Sequence, residues 1–407
     1  MSENIKKTNL VRFDQMAFQV KAKVEPKEAN VDIYVGLEHL DSESLKIRRW
    51  GEPKDVESSK ILFQSGDIIF GKRRAYQKKL AVAEFNGICS AHAMVLRPKT
   101  DVITEEFLPF FMQSDIFMDR AVKISVGGLS PTINWRDLAK EKFILPLIDD
   151  QRRISEVLLA SQRCKEKITN TYIRLNTLKI SLIEELMSRG IPNRHKTFKK
   201  TEIGDLPSGW DVVTLESVLK RFQNGYAFSS KGYASEGVPI ITMANISLDG
   251  KFQIDHEKMR YWPKDKEINL DNYQIDNGDL LIAMTDVTPD QHLIGRMALV
   301  NVEGPFFLNQ RVGHLILDNN LIDRRFLMNL SQGSFWRRYA ISHAGQGTQS
   351  NLSTEDIKSA FIPLPPIGEQ IEIANYLSLI DDRLADLKNR ENKVDNLRKS
   401  LIKECLS

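Results

Sequence analysis

Cysteine is scarce in this chain of 407 residues: Cys89, Cys164 and Cys405 lie far apart with no CxxC pair. That spacing excludes a disulfide framework and a thiolate zinc site. No apolar run approaches the ~20 residues that span a bilayer, and the opening MSENIKKTNLVRFDQ lacks the apolar stretch of a signal peptide. The chain is therefore expected to stay in the cytoplasm and away from membranes. Catalytic signatures are missing as well. There is no HExxH, no GxSxG and no spaced His/Cys cluster, and the seven histidines are scattered. The segment GDIIFGKR (66–73) approaches a phosphate-binding loop, but Arg73 stands where a magnesium-holding hydroxyl belongs. GQG at 345–347 leads into polar residues rather than a close-packed helix, which excludes a dinucleotide-binding turn. No catalytic residue and no metal ligand is expected; the chain reads as a binding protein.

Net charge is also small, +3 from 57 basic and 54 acidic residues, so composition alone implies no nucleic-acid partner. Distribution says more. Between Lys60 and Lys99 eight basic residues face only Asp67 and Glu84, and most of them lie in GKRRAYQKK (71–79). A hydrophobic content of 42% with 27% charged residues describes a soluble globular protein, and the length calls for two domains or more.

The chain is written twice. Residues 143–187 laid over 362–406 at an offset of 219 give 12 identities in 45 positions without a gap. Leu145/Leu364, Pro146/Pro365, Gln151/Gln370, Ile154/Ile373 and Leu178/Leu397 are among them. Upstream, SGDIIF (65–70) answers NGDLLI (277–282) while spacing and side chains diverge. A repeat this long means two duplicated halves, not a solenoid.

After PLIDDQ and PLPPIGEQ each copy runs about 38 residues without proline or glycine, which predicts a long helix. Asp150 or Glu369 supplies negative charge at its N-terminus. Ile373, Ile380, Leu387, Val394 and Leu401 recur every seven residues, matched by Ile154, Ser161, Ile168, Leu175 and Leu182. Val157, Leu178, Tyr376 and Leu397 supply a second seam, interrupted by Thr171, Arg383, Arg390 and Glu404. These stripes predict helices packed on each other; the alternative is that each packs only on its own domain. Each helix would be ~57 Å long, and a parallel pair would need the linker stretched almost straight. Antiparallel packing is expected.

The boundaries follow: a first domain over 1–145, a helix over 146–190, a basic, proline-broken linker over 191–208, a second domain over 209–364 and a distal helix over 365–407. Short alternating apolar runs separated by Gly, Asp, Asn and Pro predict mixed α+β domains. Each ends in a helical stretch, 104–123 or 322–342, and then a polar loop, SVGGLSPTINW or AGQGTQSNLS.

PLPPIGEQIEIANYLSLID and its partner PLIDDQRRISEVL, the LPSGWDVVTLESV opening of the second half, YVGLEHL (34–40) and GDIIFGKRRAYQKKLAVAEFNGICSAHAMVLRP (66–98) carry a resemblance. Over nearly the full length the chain resembles the DNA specificity subunit of Type I restriction-modification systems. The resemblance implies an α+β fold class with two target recognition domains separated by two long helices in an antiparallel coiled coil, a pseudo-two-fold repeat. It implies that each domain reads half of a split site in double-stranded DNA while the coil sets the spacing. It further implies no catalysis and no cofactor in this chain: two modification subunits bind S-adenosylmethionine, and restriction subunits use ATP and Mg. The first half lacks an LPxGW opening, which leaves its start undefined.

Reading DNA requires phosphate-binding cations and groups for base edges. In the first domain the candidates are Lys72, Arg73, Arg74, Tyr76, Lys78 and Lys79, with Lys46, Arg48 and Arg49 in support. In the second they are Asn224, Tyr226, Lys231, Arg337, Arg338, Gln346, Thr348 and Gln349. The bland reading of these segments is a solvated basic loop and plain turns, with Trp336 in the core. A two-headed scaffold that reads no DNA is the competing function.

Overall fold

The computed structural model describes residues 9–42, 44–263, 268–287, 290–345 and 350–406. The chain forms two compact units, Met1–Thr169 with Lys388–Ser407, and Asn170–Leu387. Each long helix therefore contributes to both units, a division that domain boundaries drawn along the sequence do not capture. No described helix is long and apolar enough to cross a membrane.

In the first unit, strand Asn9–Arg12 pairs antiparallel with Lys142–Leu145, immediately before the long helix Ile148–Arg189. Two four-stranded sheets follow. One orders Ala17–Val20, Ala93–Pro98, Ile68–Gly71 and Leu80–Val82; the other orders Lys23–Val24, Lys60–Phe63, Gly87–Cys89 and Tyr34–Val35. Successive side chains of a strand point to opposite faces. Ile68 and Phe70, with Met94 and Leu96, therefore enter a core shared with the helices, while Ile69, Ala93 and Val95 enter the core between the sheets. Burial on both faces explains the unbroken apolar runs.

The second unit repeats the plan. Asp211–Thr214 pairs with Phe361–Leu364 ahead of the helix Ile367–Leu406. The sheets order Leu219–Asn224, Val312–Leu317, Leu280–Ala283 and Met297–Leu299, and Arg260–Trp262, Val238–Ile241, Phe306–Leu308 and Gln274–Ile275. Leu280 and Ile282 face the helices, while Leu281 and Ala283 face the second sheet. Asn9–Arg12 is thus the counterpart of Asp211–Thr214, and the first half starts its fold without the LPxGW motif.

Two expected helical stretches are each broken in two. Phe107–Gln113 and Asp115–Lys123 meet at Ser114, whose Oγ accepts from Phe117 N at 3.4 Å and restarts the helix. Arg324–Leu330 and Ser334–His343 are parted at Gly333. The expected linker is also more than a tether. Phe198–Thr201 and Gly204–Pro207 form a hairpin, and Leu206 and Trp210 are buried in the core. The Glu369 carboxylate receives His195 Nε2 at 2.7 Å, Trp210 Nε1 at 3.0 Å and Ile191 N at 3.4 Å.

The repeated glutamines explain the repeat's strongest motif. Gln370 Oε1 accepts from Asp323 N at 2.9 Å while its Nε2 donates to Leu321 O at 3.0 Å and Pro365 O at 2.7 Å. Gln151 does the same with Thr104 N, Val102 O and Pro146 O at 3.0, 3.2 and 3.0 Å. Both side chains are buried, and each amide finds three backbone partners in place of water.

The helix pair is antiparallel. In the first unit Lys165 Nζ reaches both Asp395 oxygens at 2.7 Å, and Thr169 Oγ1 donates to Glu391 Oε1 at 2.6 Å. Four residues forward on one helix are four back on the other. In the second unit Lys179 Nζ donates to Asp381 Oδ1 at 2.7 Å, and residue 191 has moved on to Glu369.

The seam itself needs correction. Ile154, Ile168, Leu175, Leu182, Ile380, Leu387, Val394 and Leu401 are half-buried and Ile373 is buried, so they flank or line the inner face. Val157, Leu178, Tyr376 and Leu397 are instead 45% to 57% exposed, and Thr171, Arg383, Arg390 and Glu404 are exposed beside them. The second stripe lies one position later. Leu158, Lys165, Tyr172, Lys179 and Leu186 line it on one helix, and Leu377, Leu384, Glu391 and Arg398 on the other. A heptad admits partners three or four residues on. Apolarity selects the wrong one here because the buried stripe carries Lys165, Lys179 and Glu391 on its inner face, and its apolar ends pack into the globular cores as Leu158 and Leu186.

Lys179 is the most enclosed of these charges, its side chain 7% exposed against 37% for Lys165. Asp381→Ala, which strands a buried ammonium, is expected to destabilise the protein by about 3–5 kcal/mol; Asp395→Ala is expected to cost about 1 kcal/mol or less. Urea denaturation followed by circular dichroism compares them, and equal losses would show that burial does not decide the outcome.

Candidate nucleic-acid interface

In the first unit the strand Ile68–Gly71 runs out into the basic loop, and GDIIFGKR is strand and turn rather than a phosphate cradle. Lys72 N and Arg73 N both donate to His92 O, at 3.1 and 3.3 Å. The loop carries one 3-10 turn, Ala75–Gln77, bracketed by Arg74 and Lys78 at φ 55° and 50°. Left-handed backbone at bulky residues is held only where surroundings impose it.

A second loop imposes it. Val126 and Thr132 exchange backbone hydrogen bonds at 3.0 and 2.9 Å, closing the SVGGLSPT segment into a short arch. Arg74 N donates to Pro131 O at 2.8 Å, Ile133 N to Lys72 O at 2.9 Å and Arg74 Nε to Ser130 Oγ at 3.4 Å. Segments more than fifty residues apart thus make one surface.

The candidates are not equivalent on it. Lys72, Arg73, Arg74 and Tyr76 stand together, with Tyr76 54% exposed. Burial, and then Lys23, lowers the Lys72 pKa. Arg73 donates to His92 Nε2 at 3.2 Å, and burial, helped by Arg73, Lys72 and Lys60, lowers the pKa of that histidine. A guanidinium can only donate, so Nε2 is the acceptor of a neutral ring. Other cations are engaged within the protein. Lys46 meets Glu166 at 3.0 Å and Glu84 at 3.7 Å, Arg49 meets Asp41 at 2.6 Å, and Lys78 meets Asp115 at 2.8 Å. Lys79 Nζ donates to Leu37 O at 2.6 Å, and Arg48 donates to Ser44 Oγ at 2.9 Å.

The second unit joins the matching two segments. Thr285–Asp286 pairs with Ser350–Asn351, and Gly345 N donates to Asn351 O at 3.1 Å, 219 residues on from Val126 and Thr132. Gln346, Thr348 and Gln349 lie outside the described residues. The segment 290–296 is braced from below. Asp286 Oδ2 accepts from Leu293 N at 2.7 Å, Trp336 Nε1 donates to Gly295 O at 2.7 Å, and Arg337 donates to Ile294 O and, at 2.6 Å, to Gln291 O.

Arg337 is therefore corrected from a surface contact to a buried brace. Burial, with Arg296 alongside, pushes its pKa down to about 10, still charged at neutral pH. Asn224 is exposed, with Oδ1 accepting from Thr354 Oγ1 at 3.1 Å, and Lys231 is exposed on the turn Ser230–Gly232. The Tyr226 ring is half-buried and packs on Phe228 and Tyr273 at 5.0 and 5.4 Å. Arg338 is exposed and donates to Ser334 Oγ at 3.1 Å.

Sequence reasoning missed a polar cavity of about 610 Å³ in this unit, lined among others by Thr242, Asn245, Gln253, Lys258, Arg260, Asn309, Gln310 and Arg311. Asn245 holds its wall, accepting from Thr242 N and donating to Gln253 O, both at 2.9 Å. The Arg260 guanidinium lies 5.1 Å from the Tyr233 ring. The paired loops adjoin it: Met284 N donates to Arg311 O, and Thr285 Oγ1 to Met243 Sδ, each at 3.0 Å. Asn309 N bonds Ile241 O as Ser90 N bonds Val35 O, both at 2.9 Å, so Arg311 occupies the place of His92. Following NGDLLI as the partner of SGDIIF would have reached the loop; nothing local in the sequence marks the cavity.

The profile of the Type I restriction modification DNA specificity domain matches residues 21–177 and again 207–396. The MjaVIII specificity subunit of Methanocaldococcus jannaschii is 25% identical over 346 residues, 84% of this chain and 76% of that protein. The EcoKI specificity subunit of Escherichia coli is 23% identical over 388 residues, 91% and 77% of the two chains. Among solved structures, a chain of a type I R-M system aligns with a TM-score of 0.61 at 19% identity over 98% of each chain. The type I system S subunit of M. genitalium aligns at 0.58 and 14% identity, covering 100% of this chain and 98% of that one. Both show a shared fold. With one match in each half of its internal repeat, together covering most of its length, the chain belongs to the Type I restriction modification DNA specificity domain family.

Proposed function

We propose that this specificity subunit reads a bipartite site in double-stranded DNA, one half-site per target recognition domain, and that two modification subunits and restriction subunits assemble on it. S-adenosylmethionine, ATP and Mg are assigned to those partners, and the chain itself supplies recognition without catalysis, in the cytoplasm. One observation carries the reading: the two units join the same two segments by matching backbone pairs, Arg73 with Thr132 and Thr285 with Asn351, and differ in their side chains. Cations give affinity for phosphate, while amides and guanidinium groups read base edges, arginine on guanine and glutamine or asparagine on adenine. In the first unit Lys72, Arg73, Arg74 and Tyr76 fill these roles, with Lys46, Arg48, Arg49, Lys78 and Lys79 around them. In the second, Arg260, Arg311, Gln253 and Gln310 join Asn224 and Lys231. Gln346, Thr348 and Gln349 align in sequence with Gly127, Leu129 and Ser130 at the offset of 219, and the helix pair is assigned the setting of the spacer between half-sites.

Arg73→Gln or Arg74→Gln, in complex with the modification subunits, is expected to flatten the salt dependence of DNA binding by about one counterion for all sequences. Gln310→Ala is expected to relax one half-site alone, by about 1–3 kcal/mol against wrong bases. Competition binding on a target found by methylation mapping reads both. Binding with neither sequence preference nor salt dependence would favour a scaffold and sink this reading.

Removing one heptad from each helix is expected to shorten the preferred spacer by ~3 base pairs, since seven residues rise ~10 Å and a base pair ~3.4 Å. Methylation mapping of the variant gives the new spacing. An unchanged spacer would mean that the helices do not set it.

A further inference from the structure

Leu129 is 99% exposed, at the tip of the arch in the first unit, and Val126 at its foot is 65% exposed. Single exposed apolar side chains are common, but this one is presented by a built device. Two residues before it, Gly127 takes φ 119°, a conformation that favours glycine. On the other side Pro131 limits the chain, and the Val126–Thr132 hydrogen bonds close the arch beneath. The arch is tied to the basic loop through Arg74 N to Pro131 O, and Arg74 Nε reaches Ser130, the residue next to the leucine, at 3.4 Å. An apolar tip is therefore held beside Lys72, Arg73 and Arg74. Proteins that bend or open duplex DNA combine the same two elements, cations on the backbone and an apolar wedge between base steps.

From this geometry we infer that Leu129 inserts between adjacent base pairs of the half-site bound by the first unit and unstacks that step. The inference rests on the DNA-reading function proposed above and adds a mechanical role to it. It is confined to one half-site, because the residue 219 positions on is Thr348, whose hydroxyl suits an unstacked apolar gap poorly.

The test uses the full chain in complex with its modification subunits and the mapped target duplex, with 2-aminopurine replacing single bases through both half-sites. Wild type is expected to raise the fluorescence at one step of the first unit's half-site, apart from the bases that the modification subunits flip out for methylation in both half-sites. Leu129→Ala is expected to lose that rise while keeping sequence preference and the slope of affinity against salt; Leu129→Phe is expected to keep it. Sequence-specific binding with no such step, or a rise unchanged in Leu129→Ala, would overturn the wedge and leave DNA reading intact. Protection of Leu129 by the modification subunits before DNA is added would overturn it too. Absence of sequence-specific binding by the wild type would overturn both. Since Leu129 is exposed, retained base preference at the first unit's own half-site verifies that this unit is folded in the variants.

Discussion

At the entrance to each long helix one buried glutamine closes hydrogen bonds with three backbone groups of the neighbouring loops. Gln151 and Gln370 do this with the same atoms on matching partners. The partners are one N–H and one carbonyl of the loop packed against the helix start and the carbonyl of the proline ahead of it, so the amide ties helix and domain together.

From that junction the two halves follow one plan with unequal parts. The strand pair before each helix, the two sheets and the broken helix repeat closely. Glu369, receiving His195, Trp210 and Ile191, has Asp150 as its counterpart, which is half-exposed and lies 3.7 Å from Arg153. The second unit thereby welds its incoming hairpin to the helix. At the loops the divergence widens: a cluster of lysine and arginine in one unit, a cavity with arginine and amide groups in the other. Both can address DNA, but by different balances of phosphate attraction and base-edge hydrogen bonding.

The charged stripe of the helix pair follows from similar physics. Apolar ends belong to the cores of the two units, while Lys165, Thr169 and Lys179 meet Asp395, Glu391 and Asp381. A buried charge with one correctly placed opposite number tolerates one register and penalises others, a specificity that an all-leucine seam lacks.

Much of the architecture was legible in the residues. The repeat, both helices, their antiparallel sense, the mixed domains and the basic loop follow from spacing, proline placement and charge, which act within a few turns of chain. The buried stripe was not, because Lys165 and Lys179 look like surface residues until their carboxylate partners arrive from the other helix. Arg337 looked accessible for the same reason, and its place under the loop at 291–294 depends on a chain segment forty residues earlier. The cavity joins residues 242–260 to 309–311, and the arch of Leu129 acquires neighbouring cations only when Arg74 bonds Pro131 and Ser130. Local pattern thus determined which elements form and that they form twice. Tertiary structure alone decided which charges are buried and which loops face each other, since partners distant in sequence set solvation and hydrogen bonding at those sites.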